Sequence, residues 1–311
     1  MTVYLASKTL TAINAALEAD QGAAFRQHLK VVLPHMADVY RGKESNPYRS
    51  HMGASGIGKD CARAIWYGFR WFTKPKFEGR ILRLFNRGHL EEARFIALLL
   101  SINITVYQQD ANGKQFRISD AGGHFGGSGD GIAVGIPDLP DSTMPCLLEF
   151  KTHNNKSFAK LEKEGMKASK YEHFVQMQVY MEKMGLPIGL YGAVNKDNDA
   201  LYFELVPKDT VTGVQFVNRG KQLVFYPTPP KRINESPGWF GCSWCDHKPV
   251  CHFRATPQVN CRTCHFAVPR EDGKWYCGNP EPMADAAFGD NSQLSEEDQL
   301  RGCKNHTPIS Q

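Results

Sequence analysis

At 311 residues the chain can bury a substantial core, with room for one large domain and an appendage or for two domains. A composition of 41% hydrophobic and 22% charged residues, with no low-complexity tract or internal repeat, excludes a fibrous or a disordered chain. The net charge of +5 permits an acidic partner without demanding one, and the most apolar run, Phe95 to Leu100, is far shorter than the roughly 20 residues of a membrane helix, so no membrane partner is expected.

Apolar positions recur at helical spacing in the first 50 residues (Leu10, Ile13 and Leu17, then Phe25, Leu29 and Val32), which predicts two helices broken at Asn46-Pro47. A further helix is expected from Lys59 to Trp71, with Pro75 closing the region, and a long one from about Ile81 to Leu100. Strands follow at Ile104 to Gln108 and Gln115 to Ser119, joined by Asn112-Gly113, a dipeptide that favours a hairpin. A Gly-rich stretch, 122–131, leads into a strand at Ile132 to Ile136. After a proline-rich loop comes the buried-type strand Cys146 to Lys151. A helix from Lys170 to Met184 and strands at Gly189 to Asn195 and Leu201 to Val206 complete a mixed α/β core. Four prolines in the eleven residues from Pro227 to Pro237 mark a linker. The expected organisation is therefore an N-terminal helical region at 1–79, a core at 80–226, a linker with cysteines at 227–255 and a cysteine-rich tail at 256–311.

The N-terminus lacks the basic flank and apolar run of a signal peptide, so a cytoplasmic location with reduced thiols is expected. In that setting the nine cysteines, seven of them between Cys242 and Cys303, point to metal rather than disulfides. The basic and aromatic stretch from Arg63 to Arg87 suits phosphate contacts and base stacking, and equally a helix with a solvated basic face.

Glu149 and Lys151 lie two apart on a strand, so their side chains share a face. Asp130 begins the preceding strand and can meet them where the two strands run side by side. Converging carboxylates bind Mg²⁺ or Mn²⁺ through oxygen, and an adjacent lysine can orient an attacking water. Alone, the pattern also fits a cross-strand ion pair. Its setting, a Gly-rich strand entry followed by Leu147-Leu148-Glu149-Phe150-Lys151, makes a buried acid and lysine costly without a purpose.

With four motifs in order, the chain resembles the PD-(D/E)xK nuclease superfamily, and within it the RecB-like and phage exonuclease branch. They are Gly88-His89-Leu90-Glu91-Glu92 on the long helix, Gly129-Asp130-Gly131, Glu149-Phe150-Lys151, and Gln176-Met177-Gln178-Val179-Tyr180. The resemblance covers roughly 85–206 and implies a restriction-endonuclease-like core, a mixed sheet flanked by helices. It also implies that Asp130, Glu149 and the Phe150 carbonyl hold Mg²⁺ or Mn²⁺, that Lys151 acts on the nucleophilic water, and that Gln176 and Tyr180 brace the site or contact DNA. Spacing from Gly88 favours Glu92 as the helix carboxylate, with Glu91 as the alternative. The proline that the family often carries before the aspartate is Gly129 here. The implied function is a metal-dependent deoxyribonuclease, an exonuclease for DNA end processing or recombination, with a helicase or recombination protein as a further partner. Its rivals are an inactive, metal-stapled nucleic-acid-binding protein and a restriction-type endonuclease.

Cys242, Cys245 and Cys251 form C-x2-C-x5-C, which by itself is a zinc knuckle wanting a fourth ligand. One cysteine before the core, Cys61, and three after it resemble the iron–sulfur nucleases of the AddB type and of CRISPR adaptation. That resemblance implies a structural [4Fe–4S] cluster on Cys61, Cys242, Cys245 and Cys251, with zinc as the alternative. Cys261, Cys264, Cys277 and Cys303 read as a zinc ribbon, with His265 and His306 as alternative ligands. Cys146, inside a buried strand, is expected to be core. Gly53-Ala54-Ser55-Gly56-Ile57-Gly58-Lys59-Asp60 nearly spells a nucleotide-binding loop, but Asp60 stands where Ser or Thr would hold Mg²⁺, so ATPase chemistry is excluded and Ser55 is expected to cap the next helix.

Overall fold

The computed structural model of the chain describes residues 2–40, 46–279 and 293–310. In chain order the first elements are β1 (Tyr4–Leu5), α1 (Ser7–Asp20), α2 (Ala23–Val32), β2 (Met52–Gly53), α3 (Ala62–Phe69) and α4 (Gly79–Leu100). Then come β3 (Thr105–Tyr107), β4 (Arg117–Asp120), β5 (Phe125–Ser128), β6 (Gly131–Val134), β7 (Cys146–His153), α5 (Asn155–Ser169) and α6 (Tyr171–Met184). The remainder is β8 (Ile188–Asn195), β9 (Leu201–Pro207), α7 (Thr210–Phe225), α8 (Lys248–Phe253), β10 (Ala267–Pro269), β11 (Trp275–Cys277), β12 (Gln293–Leu294) and α9 (Glu296–Arg301). These elements form two compact units that interleave along the chain. One comprises Met1–Lys43, Phe77–Ile118 and Ser128–Val214, the other Glu44–Lys76, Ser119–Gly127 and Gln215–Gln311.

The first unit is built on a six-stranded sheet ordered β1-β9-β8-β7-β6-β3, the mixed α/β architecture expected. Its central pair, β7 and β8, runs parallel, while the pairs on either side are antiparallel. A parallel pair needs a long crossover, supplied by α5 and α6, and helices over both faces. Accordingly β7 and β8 are buried along most of their length. On one face Phe95, Ile96 and Leu99 of α4 pack with Leu148, Phe150, Leu190 and Val194, joined by Ile13 of α1 and Val32 of α2. The rings of Phe95 and Phe150 stack with centroids 4.7 Å apart, and burying such side chains contributes about 1.5–3 kcal/mol each. Alternation along β7 turns Glu149 to the opposite face, where α6 lies. The N-cap residue of α1, Ala6, has no capping oxygen; Asp138 takes that role, accepting from the Lys8 and Thr9 N–H groups at 2.8 Å.

Three elements of this unit depart from expectation. Edge strand β1 pairs with β9 although its run is only two residues. Helix α5 is polar on average and bends at Gly165, whose φ of 76° and whose contact with Val3, 2.5 Å from an added Cβ, leave room only for glycine. The Asn112-Gly113 turn forms, with Gly113 at φ 71°, but β3 and β4 are not hairpin partners. Beyond a single bridge, Gln109 to Gln115, β3 pairs with β6 and β4 joins a separate sheet ordered β2-β5-β4. The expected N-terminal region 1–79 divides between the units, with α1 and α2 in the first and α3 in the second.

The second unit holds the sheet β10-β11-β12 and an aromatic core with Trp66, Tyr67 and Phe72 wholly buried, packed with Val250 and Ile309. Here the basic and aromatic stretch is corrected in part. Arg63 and Arg70 are buried rather than solvated, and Trp66, Tyr67, Trp71 and Phe72 are core. Arg70 lies 4.9 Å and Arg262 4.7 Å from the Trp275 ring, so the guanidinium groups spend their charge on aromatic faces. Helix α3 is capped by Cys61, whose Sγ accepts from the Ala64 N–H at 3.4 Å, and not by Ser55.

Candidate active site

The antiparallel register sets Gly131 opposite Leu148, so Asp130 arrives beside Glu149 at the mouth of the β6–β7 pair. Asp130 Oδ2 accepts from the Phe150 N–H at 2.7 Å, which fixes its carboxyl between the two side chains that flank Phe150. Glu149 is fully buried. One of its oxygens pairs with the Lys151 ammonium, and Oε2 accepts from Gln176 Nε2 at 2.9 Å. Lys151 remains partly exposed and lines a cleft of about 340 Å³ with Gly88, His89, Glu91 and Glu92 of α4 and His173 of α6.

The two helix carboxylates differ in their electrostatic surroundings. Burial, then the charges of Glu149 and Glu92, push the Asp130 carboxyl well above the usual carboxylate range. Burial also raises Glu149, against the opposing pull of Lys151, with Glu92 adding to the rise. Burial works against the Lys151 charge, but Glu149, Asp130 and Glu92 outweigh it and hold the ammonium above its ordinary value. Glu92 is thus the helix acid whose charge reaches the three central groups, and it lies 3.6 Å from His89 Nδ1. Glu91 is buried and paired with Arg94 at 3.0 Å. Tyr180 is buried one turn beyond Gln176.

Two raised carboxyls have a measurable consequence. Each binds its proton more tightly folded than unfolded, so between the ordinary carboxylate pKa and the raised one the folded state carries the extra proton. Stability should therefore fall as pH rises above about 4 through that window. A melting series over pH should show this slope, with Asp130→Asn and added Mg²⁺ each flattening it; equal slopes in all three samples would refute the account.

Residues that the motif spacing passes over complete the surroundings. Tyr191, on β8 directly across from Glu149, is fully buried. Its hydroxyl lies 2.9 Å from both His153 Nε2 and His173 Nδ1. Burial, then Lys170, lowers His153 to about 4; burial, then Lys151, lowers His173 to about 3, so both rings are neutral. A signal for both was present: His153 continues the face of Glu149 and Lys151 at the next alternate position, and His173 precedes Gln176 by three on a helix.

In the second unit, Cys242, Cys245 and Cys261 are raised by burial and by neighbouring cysteines. Burial, then the nearby charges of Cys61 and Cys251, raises Cys242; Cys245 is raised by burial and by Cys61, Cys242 and Cys251. Cys261 is pushed up to about 12 by burial and by Cys303, Cys264 and Cys277. Among the described residues, no group of three or more His, Cys, Asp or Glu side chains is drawn together as a ready metal site. Cys146 is buried in β7, as expected. No described helix is long and apolar enough to cross a membrane.

No family model matches the chain, and no curated protein does. Among solved structures it is similar to the crystal structure of SSO0001, with a TM-score of 0.37 and 16% identity over 75% of this chain and 96% of that one. It is also similar to LHK-Exo in complex with dAMP, with a TM-score of 0.41 and 16% identity over 56% of this chain and 86% of that one. An alkaline exonuclease, LHK-Exo from Laribacter hongkongensis, gives a TM-score of 0.40 and 15% identity over the same shares, 56% and 86%.

Proposed function

We propose that the chain is a deoxyribonuclease dependent on Mg²⁺ or Mn²⁺, acting as an exonuclease that processes DNA ends. One observation carries the reading: Asp130 is held by the Phe150 N–H between Glu149 and Lys151, with Glu92 close enough to bias all three. Carboxylates crowded where little water reaches are the donor chemistry that a hard divalent cation takes. Asp130, Glu149 and the Phe150 carbonyl would hold the ion, with Glu92 completing the acidic wall. When bound, the ion supplies Lewis acidity against the charge that builds on the phosphate.

The chain's own groups do the rest. Lys151 orients the attacking water from the cleft side and steadies the charge left as that water gives up its proton. The water oxygen bonds to phosphorus as the bond to the leaving nucleoside oxygen breaks, and the water's proton passes by way of solvent in the cleft to that leaving oxygen. Gln176 keeps Glu149 from turning, so the acid meets the substrate in one orientation. Tyr180, buried on the same helix, braces that orientation. The two thiol sets supply scaffold: a [4Fe–4S] cluster, or zinc, on Cys61, Cys242, Cys245 and Cys251, and zinc on Cys261, Cys264, Cys277 and Cys303. Thiols that raise one another's pKa are groups that a cation would relieve.

The deciding experiment is digestion of end-labelled single- and double-stranded DNA with Mg²⁺, with Mn²⁺ and with a chelator. Label should be released progressively from ends with either ion and not with chelator. Intact DNA under every condition would overturn the proposal, and internal nicking of closed circles would replace the exonuclease reading with an endonuclease.

A further inference from the structure

We infer that His173 presents a neutral Nε2–H to the scissile phosphate, held in that tautomer by a one-way chain of hydrogen bonds that begins at Lys170. The inference rests on the nuclease reading and extends it to a substrate-contacting residue outside the four motifs.

The chain runs through five side chains. Lys170 Nζ lies 2.5 Å from Ser157 Oγ, which lies 3.0 Å from His153 Nδ1. His153 Nε2 and His173 Nδ1 are each 2.9 Å from the Tyr191 hydroxyl. A protonated lysine can only donate, so Ser157 accepts from it. The Ser157 hydroxyl proton then needs an acceptor, and His153 Nδ1 is its partner in the structure. With its Nδ1 accepting, neutral His153 carries its proton on Nε2 and donates to Tyr191. The Tyr191 O–H in turn donates to His173 Nδ1. His173, also neutral, must then carry its proton on Nε2. Every hydrogen bond points the same way, and the direction is set by the one member that cannot accept.

The end of the chain is where it matters. Tyr191 and His153 are buried, whereas His173 lines the cleft beside Lys151. With Nδ1 taken by Tyr191, Nε2–H is the polar group left for that cleft. A donor held in place by neighbours needs no reorganisation when charge develops on a phosphate oxygen. Neutrality suits the position as well, because a second cation beside Lys151 would weaken the lysine's own charge. Lys170, Ser157, His153 and Tyr191 are positioning residues. They touch no substrate and act through the His173 tautomer.

The test uses the full chain. In single-turnover cleavage of end-labelled DNA with Mg²⁺, His173→Ala should lower the rate of the chemical step about 10²–10³-fold with DNA affinity little changed. His173→Gln, whose amide can place an N–H near the Nε2 position, should recover part of that loss. Tyr191→Phe should cost about tenfold, because the link that selects the tautomer is gone. Nitrogen NMR of labelled wild-type protein should find His173 protonated at Nε2 alone, and Tyr191→Phe should mix the tautomers. Cleavage by His173→Ala at the wild-type rate, or a wild-type His173 protonated at Nδ1, would overturn the inference while the nuclease reading stands. Wild-type protein that fails to cleave removes the nuclease reading and the substrate role of His173 together, and the NMR result then reports on the hydrogen-bond chain alone.

Discussion

Lys151→Ala should lower the rate of phosphodiester cleavage about 10³-fold while leaving DNA affinity within a few-fold of wild type. The size follows from the range of about 10²–10³ for a preorganised group that stabilises charge developing in the transition state. The selectivity follows from place, because Lys151 is one cation at the head of a cleft and contributes little contact area. The substitution also strands Glu149, fully buried and left with Gln176 alone, and removing one partner of a buried pair costs about 3–5 kcal/mol. Glu149 should respond by keeping its proton to a higher pH, which weakens it as a ligand and adds to the loss. Asp130→Asn separates the two effects, since it keeps shape and one hydrogen-bond acceptor while removing a group that can ionise to bind a cation. It should be equally inactive but melt at or above the wild-type temperature, because the carboxylate it replaces is crowded by Glu149 and Glu92. Lys151→Ala protein that is folded by melting and cleaves as fast as wild type would end the assignment.

The second large effect belongs to the cysteines. Protein purified without air should be brown and carry about four irons and one zinc per chain, as the two ligand sets imply. Cys61→Ser should remove the iron and the colour, and loosen the second unit as a whole. Cys61 comes from a segment far ahead of Cys242, Cys245 and Cys251 in sequence, yet its charge is felt by Cys242 and Cys245. Its Sγ also caps α3, the helix that carries the buried Trp66 and Tyr67. A structural metal site contributes up to about 10–16 kcal/mol. Even a loss of about 4 kcal/mol would lower Tm by about 8–16 °C in a chain of this size. Colourless wild-type protein with two zincs would overturn the cluster and keep the four-thiol site. Wild-type melting in Cys61→Ser would overturn both.

Sequence alone determined what depends on neighbours along the chain. Periodicity marked α1, α2 and α4 because one face of each is buried, and alternation set Glu149 and Lys151 on one face of a strand. The order of the four motifs and the grouping of seven late cysteines were legible for the same reason, since each rests on short spacings. Polar α5 was not legible, because Gly165 in its interior reads as a break and few apolar positions repeat. Nor was the fate of the Asn112-Gly113 turn. A turn dipeptide dictates local φ and ψ, but the partner of β3 is whichever strand buries its face best, and that strand is β6. Tertiary structure pairs Glu91 with Arg94 and sets the Glu92 charge against Asp130, a difference the sequence could not show because successive helix positions point about 100° apart. It also created the Lys170-to-His173 chain. The parallel register of β7 and β8 sets Tyr191 beside Glu149 and within reach of two histidines that are twenty residues apart in sequence, and register between strands is a property of the packed core rather than of either strand.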